Sequence, residues 1–130
     1  MNLQLKDWRV KEISWTTNMD GASRSDSKKF DLSFAPAFTK ESSREFMIGF
    51  KIGIYKAHYD LKLEIVFVFN VDVDIDDDFK NSPFLKINAP AIAFPYVRSY
   101  ISNLTLQSGY PPVFLPSINF VALSEYSGKQ

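Results

Sequence analysis

Two stretches alternate apolar and polar positions with unusual regularity. Phe46, Ile48, Phe50, Ile52 and Ile54 recur at every second residue, and so do Leu61, Leu63, Ile65, Phe67, Phe69 and Val71. Period two places each set on one face of a pleated strand. The six residues between them, Tyr55 to Asp60, are few enough to close an antiparallel hairpin. The opposite faces carry Gly49, Lys51 and Gly53, and Lys62, Glu64, Val66 and Val68, a mixed set that predicts partial cover.

Earlier in the chain, residues 3–16 are rich in β-formers, with Trp8, Val10, Ile13 and Trp15 as the bulky positions. The register changes between Val10 and Ile13, which predicts a bulge or bend. Residues 18–28 are polar and read as a loop. A second strand is predicted at about 29–39, with Phe30, Leu32 and Phe34 alternating.

After residue 90 the period changes. Residues 91–107 fit a helix, with Phe94, Val97, Ile101 and Leu104 spaced by three and four. Pro95 is expected in its first turn, where a missing N–H costs nothing. Gly109 stands where a left-handed cap would end it, and Pro111-Pro112 forbid continuation. Residues 110–120 read as extended and proline-punctuated, and Ser127 to Gln130 as a frayed end. Strands followed by a helix predict an α+β fold, with a four-stranded antiparallel sheet and a long helix packed on one face. The length, 130 residues, suits one domain, 1–130.

Composition adds one point and removes several. Twelve Phe among 130 residues are a heavy ring load for a small domain, so some rings are expected to need cover from a partner. Basic and acidic residues balance at 15 each, which leaves no global field for nucleic acid or an acidic membrane. Without cysteine there is no disulfide, thiolate nucleophile or Cys-based zinc site. The first seven residues lack the pattern of a secretory signal, and no apolar run reaches membrane-spanning length, so the expected location is the cytoplasm.

The candidate chemistry is sparse. His58, the single histidine, sits in the predicted hairpin turn with no acid or nucleophile tied to it, and reads as a solvated turn residue rather than a general base. The run Asp72, Asp74, Asp76, Asp77 and Asp78 alternates with Val71, Val73 and Ile75, so an extended segment with one acidic face is expected. It fails as an EF-hand, because a loop starting at Asp72 has Asp77 and Pro83 where Gly and Glu are needed. Two readings remain: charges that discourage edge-to-edge aggregation, or a docking patch for a basic partner. The five glycines form no phosphate-binding loop. No catalysed reaction and no cofactor are expected. The remaining constellation is apolar and runs from Ala91 to Tyr96, from Gly109 to Pro116, and through Ile118-Asn119-Phe120. Three prolines within six residues stiffen this loop, which suits the wall of an apolar groove because little entropy is lost on binding.

At these residues the chain resembles the SecB family. Asn88-Ala89-Pro90-Ala91-Ile92-Ala93-Phe94-Pro95-Tyr96-Val97-Arg98 is similar to that family's P-x-I-L-F-P-Y-A-R stretch. Gly109-Tyr110-Pro111-Pro112-Val113-Phe114-Leu115-Pro116-Ser117-Ile118-Asn119-Phe120-Val121-Ala122-Leu123 is similar to its G-x-F-P-P-L-x-L-P-P-I-N-F-D-A-L stretch. The resemblance implies an ATP-independent chaperone built as a homotetramer, a dimer of dimers, with unfolded preproteins in apolar grooves and an acidic surface for the SecA motor. Candidate client-binding residues are Phe94, Tyr96, Tyr100, Tyr110, Phe114 and Phe120, and the candidate docking patch is Asp72 to Asp78. Three departures bear on motor docking: the neutral charge, Val121 where the family has Asp, and the acidic run in place of a Gly-rich connection. A SecB-like chaperone dedicated to one partner, such as an antitoxin, is the alternative reading.

Overall fold

The computed structural model describes the backbone of residues 2–18, 30–39 and 43–128, with side chains through Ser124. Four strands form one antiparallel sheet: β1 (Leu3–Thr17), β2 (Phe30–Phe38), β3 (Glu45–Tyr55) and β4 (Tyr59–Val71). Their spatial order is β1-β4-β3-β2, so β1 and β2 form opposite edges. Residues 19–28 of the predicted 18–28 loop, Lys29 of the predicted second strand, and Lys129 and Gln130 lie outside the described residues.

The two alternating runs pair as predicted. Phe50 stands opposite Ile65, Ile52 opposite Leu63 and Ile48 opposite Phe67, all buried on one face. At the hairpin turn, Asn18 donates its backbone N–H to the His58 carbonyl and its side-chain amide to that of Ala57.

The outer strand β1 reaches the same face by a device only half visible in the sequence. Its register against β4 shifts twice, leaving Lys6 and Lys11 as inserted residues. The bulky positions are therefore spaced by two, three, two, three and two. Even so, Leu3, Leu5, Trp8, Val10, Ile13 and Trp15 face Val71, Phe69, Phe67, Ile65, Leu63 and Leu61 in turn. Each extra residue restores the parity that a strict period of two would lose. The lysines placed at the bulges pair with nearby acids, Lys6 with Glu45 at 2.9 Å and Lys11 with Glu64 at 3.8 Å.

After β4 comes α1 (Asp77–Lys80), a single turn. This corrects the extended reading at Asp77 and Asp78, which are helical; the strand stops at Val71, and Asp76 keeps an extended backbone. Capping decides it: the Asp76 carboxylate accepts the Phe79 N–H at 2.9 Å, and Phe79 is buried against Phe46. A π-helical turn at Phe84–Asn88 then leads directly into α2 (Ala89–Gln107). Pro90 takes the early position, so Pro95 lies inside the helix, contrary to the first-turn expectation. Pro95 and Ala91, whose carbonyl loses its helical partner, are both exposed, where water can replace the missing bond.

The end of α2 follows the sequence closely. Gly109 has φ +95°, Tyr110 N–H bonds the Thr105 carbonyl and Gly109 N–H bonds that of Leu106, a complete Schellman closure. The chain then runs without regular structure to α3 (Phe120–Gly128). This helix was not expected. Asn119 nucleates it by accepting the Ala122 N–H on its side chain, and it includes Ser127, which the sequence reading had placed in a frayed end.

Ala93, Phe94, Val97, Ile101 and Thr105 form the buried side of α2, spaced by one, three, four and four. The helix packs over β1 and β4, and Phe94 reaches β3 through Phe50. Phe34, Phe50, Phe94 and Phe120 close a four-ring circuit with centroid separations of 5.4–6.1 Å. Most of the ring surplus is thus hidden within the chain rather than left for a partner. Among the described residues the exposed rings are Phe38, Tyr96 and Phe114. Replacing Phe50 with Ala is expected to cost about 3–5 kcal/mol of unfolding free energy in denaturant titration. Lys51→Ala on the opposite face should stay within about 0.5 kcal/mol.

Candidate functional site

The long helix and the proline-rich segment after it form a single unit. Residues 111–119 are tied to α2 by three side chains on one flank of the helix. Arg98 Nε donates to the Leu115 carbonyl at 3.1 Å, and Ser102 Oγ to the Val113 carbonyl at 2.8 Å. Val113 N–H donates in turn to Thr105 Oγ1 at 3.0 Å. Thr105 is fully buried, and its hydroxyl donates a hydrogen bond to the Ile101 carbonyl at 2.8 Å. Both polar groups of Val113 and the carbonyl of Leu115 are therefore satisfied by the helix, in a segment whose prolines leave it few bonds of its own.

Side chains alternate along an extended chain. Val113 and Leu115 turn inward, and Phe114 between them stands 77% exposed. Phe114 is a shared wall of two recesses. One, of 220 Å³, is lined by Pro95, Arg98, Ser99, Ser102 and Leu115. The other, of 380 Å³, is lined by Lys56, His58, Tyr59 and the segment Tyr110 to Val113. Tyr59 and Tyr110 of this second recess cluster with Trp15, ring centroids 4.3–5.6 Å apart. His58 is an exposed rim residue there.

The six ring positions read from the sequence divide by depth. Phe94 and Phe120 are buried in the ring circuit at 3% and 5% exposure. Tyr100 and Tyr110 are half-buried, Tyr100 against Trp8 and Tyr110 against Tyr59. Tyr96 is 45% exposed beside Trp8 and Phe67. Sequence reading missed Trp8 and Trp15 as supports of the surface rings, and it missed Arg98, Ser102 and Thr105. The spacing of that last trio, four and three, was a readable sign of a single helix flank.

The acidic run is largely engaged within the chain. Asp72 accepts the Asn2 N–H at 2.8 Å, Asp74 accepts Arg44 Nε at 3.0 Å and Ser43 Oγ at 3.2 Å, and Asp76 caps α1. Asp77 and Asp78 are exposed in the first turn of α1. The Arg44 guanidinium, aided by Ser43, holds the Asp74 carboxyl below its ordinary value of 3.8, and the Asn2 N–H does the same for Asp72. Among the described residues, no group of three or more His, Cys, Asp or Glu side chains is placed to hold a metal ion.

Residues 10–130 match the family model described as preprotein translocase subunit SecB. This chain belongs to the SecB family. It is 32% identical over 115 residues to the protein-export protein SecB of Dinoroseobacter shibae, covering 86% of this chain and 59% of that protein. The SecB of Ruegeria pomeroyi is 30% identical over 90 residues, covering 65% of this chain and 54% of that protein. The chain thus spans between half and three-fifths of the length of these SecB relatives. A SecB-like chaperone of Mycobacterium tuberculosis, solved with a ChAD peptide from an antitoxin, superposes with a TM-score of 0.66 at 17% identity, over 89% of this chain and 87% of that one. That likeness establishes a shared SecB-like fold: an antiparallel sheet of four strands with a long helix. Among the described residues no helix is long and apolar enough to cross a membrane.

Because the folded pKa of Asp74 is lowered, its contribution to stability is fully present above the ordinary carboxylate value and is lost as pH falls through the folded one. An Asp74→Asn variant is therefore expected to melt below the wild type near neutral pH. The gap should close as the pH falls below the ordinary carboxylate value and through the lowered one, in thermal unfolding followed across pH.

Proposed function

We propose that this chain is an ATP-independent holdase of the SecB type, which keeps unfolded preproteins export-competent in the cytoplasm and catalyses no reaction. Membership of the SecB family supports the general role in protein export. The observation that carries the holding role is two exposed rings with half-buried rings beside them: Tyr96 over Trp8, which Tyr100 also meets, and Phe114 at the recess that Tyr110 lines.

Holding an unfolded chain needs burial rather than chemistry. At about 25 cal/mol per Å² of apolar area, a few hundred Å² per site yield several kcal/mol before ordering costs are charged. Weak contacts repeated along one client add through effective concentration, which favours a homo-oligomer, dimer or tetramer, that presents several such surfaces. Exposed Ile92 and Leu106 on α2 offer apolar area for a second copy. Docking on a SecA-like motor would fall to Asp77 and Asp78, since Asp72, Asp74 and Asp76 already hold internal partners.

A second reading, a SecB-like chaperone dedicated to one partner such as an antitoxin, is favoured by the neutral charge and by the fold shared with the antitoxin-peptide complex. The two differ in what copurifies: a spread of unfolded polypeptides, or one small protein at fixed stoichiometry.

The pure protein should suppress aggregation of a chemically denatured model enzyme without nucleotide, as read by light scattering. Tyr96→Ala and Phe114→Ala should each weaken this by about tenfold in the concentration needed, the scale of losing one exposed anchoring ring. No suppression at equimolar chain would overturn the holding role.

A further inference from the structure

We infer that Arg98, Ser102 and Thr105 are positioning residues that hold Phe114 outward as a pre-ordered client contact. The inference rests on the holding role proposed above. It assigns to the helix flank a part that no ring in the surface can supply for itself.

The geometry carries it in three steps. First, the loop has little to order it. Pro111, Pro112 and Pro116 contribute no N–H, and the described backbone–backbone bonds outside the regular elements include none made by residues 111–118. Second, the order comes from the helix. The three bonds to Val113 and Leu115 bracket Phe114 on both sides, at 2.8–3.1 Å. Third, the bracket fixes parity. With Val113 half-buried and Leu115 buried, an extended backbone has one direction left for the residue between them. Phe114 then stands as the ridge between the two recesses, without burial of its own to hold it there. A ring held in that way loses little freedom when a client covers it, whereas the same ring on a loose loop would be ordered at the expense of binding.

The bracket can be loosened without opening the core. Thr105 is fully buried, so it is left in place. Ser102→Ala and Arg98→Met remove the two bonds made by half-buried side chains and keep most of the packing. The double variant is combined with Phe114→Ala in a cycle. Affinity is measured by fluorescence anisotropy for a permanently unfolded probe, reduced and carboxymethylated α-lactalbumin, with circular dichroism confirming the fold of every variant. Hydrogen exchange at the Val113 amide reports loop order.

Loosening the bracket is expected to speed Val113 exchange and to weaken probe binding about two- to tenfold with Phe114 present, the scale of ordering one or two residues on binding. In the Phe114→Ala background the same loosening should leave affinity unchanged. Equal weakening in both backgrounds would overturn the inference, because the bracket would then act on the fold and not through the ring. Unchanged affinity with Phe114 present would overturn it too. A wild-type chain that fails to bind the probe would instead refute the holding role, and with it this use of the bracket.

Discussion

Everything in this chain depends on one buried surface, the shared inner face of β3 and β4 beneath α2. Eleven alternating Phe, Ile, Leu and Val positions on the two central strands are almost completely excluded from water. A slip of one residue in either strand would turn its whole apolar set outward, so the register is fixed by burial rather than by the turn. The edge strand is fitted to that register, not the reverse. Lys6 and Lys11 are set aside in bulges so that Trp8 and Trp15 arrive over Phe67 and beside Tyr59. α2 then lies where Phe94, Val97 and Ile101 can meet this face, and the proline segment lies where α2 can hold it.

The same constraint decides which rings are left for function. Rings over the central strands are consumed by the core, whereas Tyr96, on the flank of α2 over Trp8, and Phe114, at the crest of the loop, are not. Depth, more than residue type, separates Phe94 from Phe114. The acidic run shows the same economy of position. Three of its five exposed carboxylates tether the N-terminus, tether Arg44 and Ser43, and cap a helical turn, while Asp77 and Asp78 stand in the first turn of α1.

How much of this could be read beforehand follows from the range of the forces involved. The central strands and the long helix were legible because a single buried face repeats its period over eleven or more residues. The end of α2 was legible because only glycine takes φ +95° easily. The short helices were not, since α1 has a single turn and its cap, Asp76, sits in a run whose alternation imitates a strand. For α3 the signal was present in Asn119, a good capping residue directly before an apolar run, but the preceding prolines suggested an extended chain throughout. The bulge at Lys11 was visible as a phase change between two bulky residues, whereas the one at Lys6 shows only once β4 supplies the partner positions. The ring surface was legible as a segment but not residue by residue, because helical spacing does not say which flank the sheet will cover. The Arg98, Ser102 and Thr105 bracket lay further out of reach, since its acceptors and donor are backbone groups of a loop with no periodicity.

A rigid ring surface that accepts an unfolded chain makes one direct claim about place. Hydrogen exchange of the free protein and of its complex with an unfolded polypeptide tests it. The account predicts added protection in residues 110–115 and around Tyr96 and Tyr100, with the outer sheet face around Lys51 and Lys62 unchanged. Protection confined to that outer face or to the acidic run, with the proline segment unaltered, would contradict it.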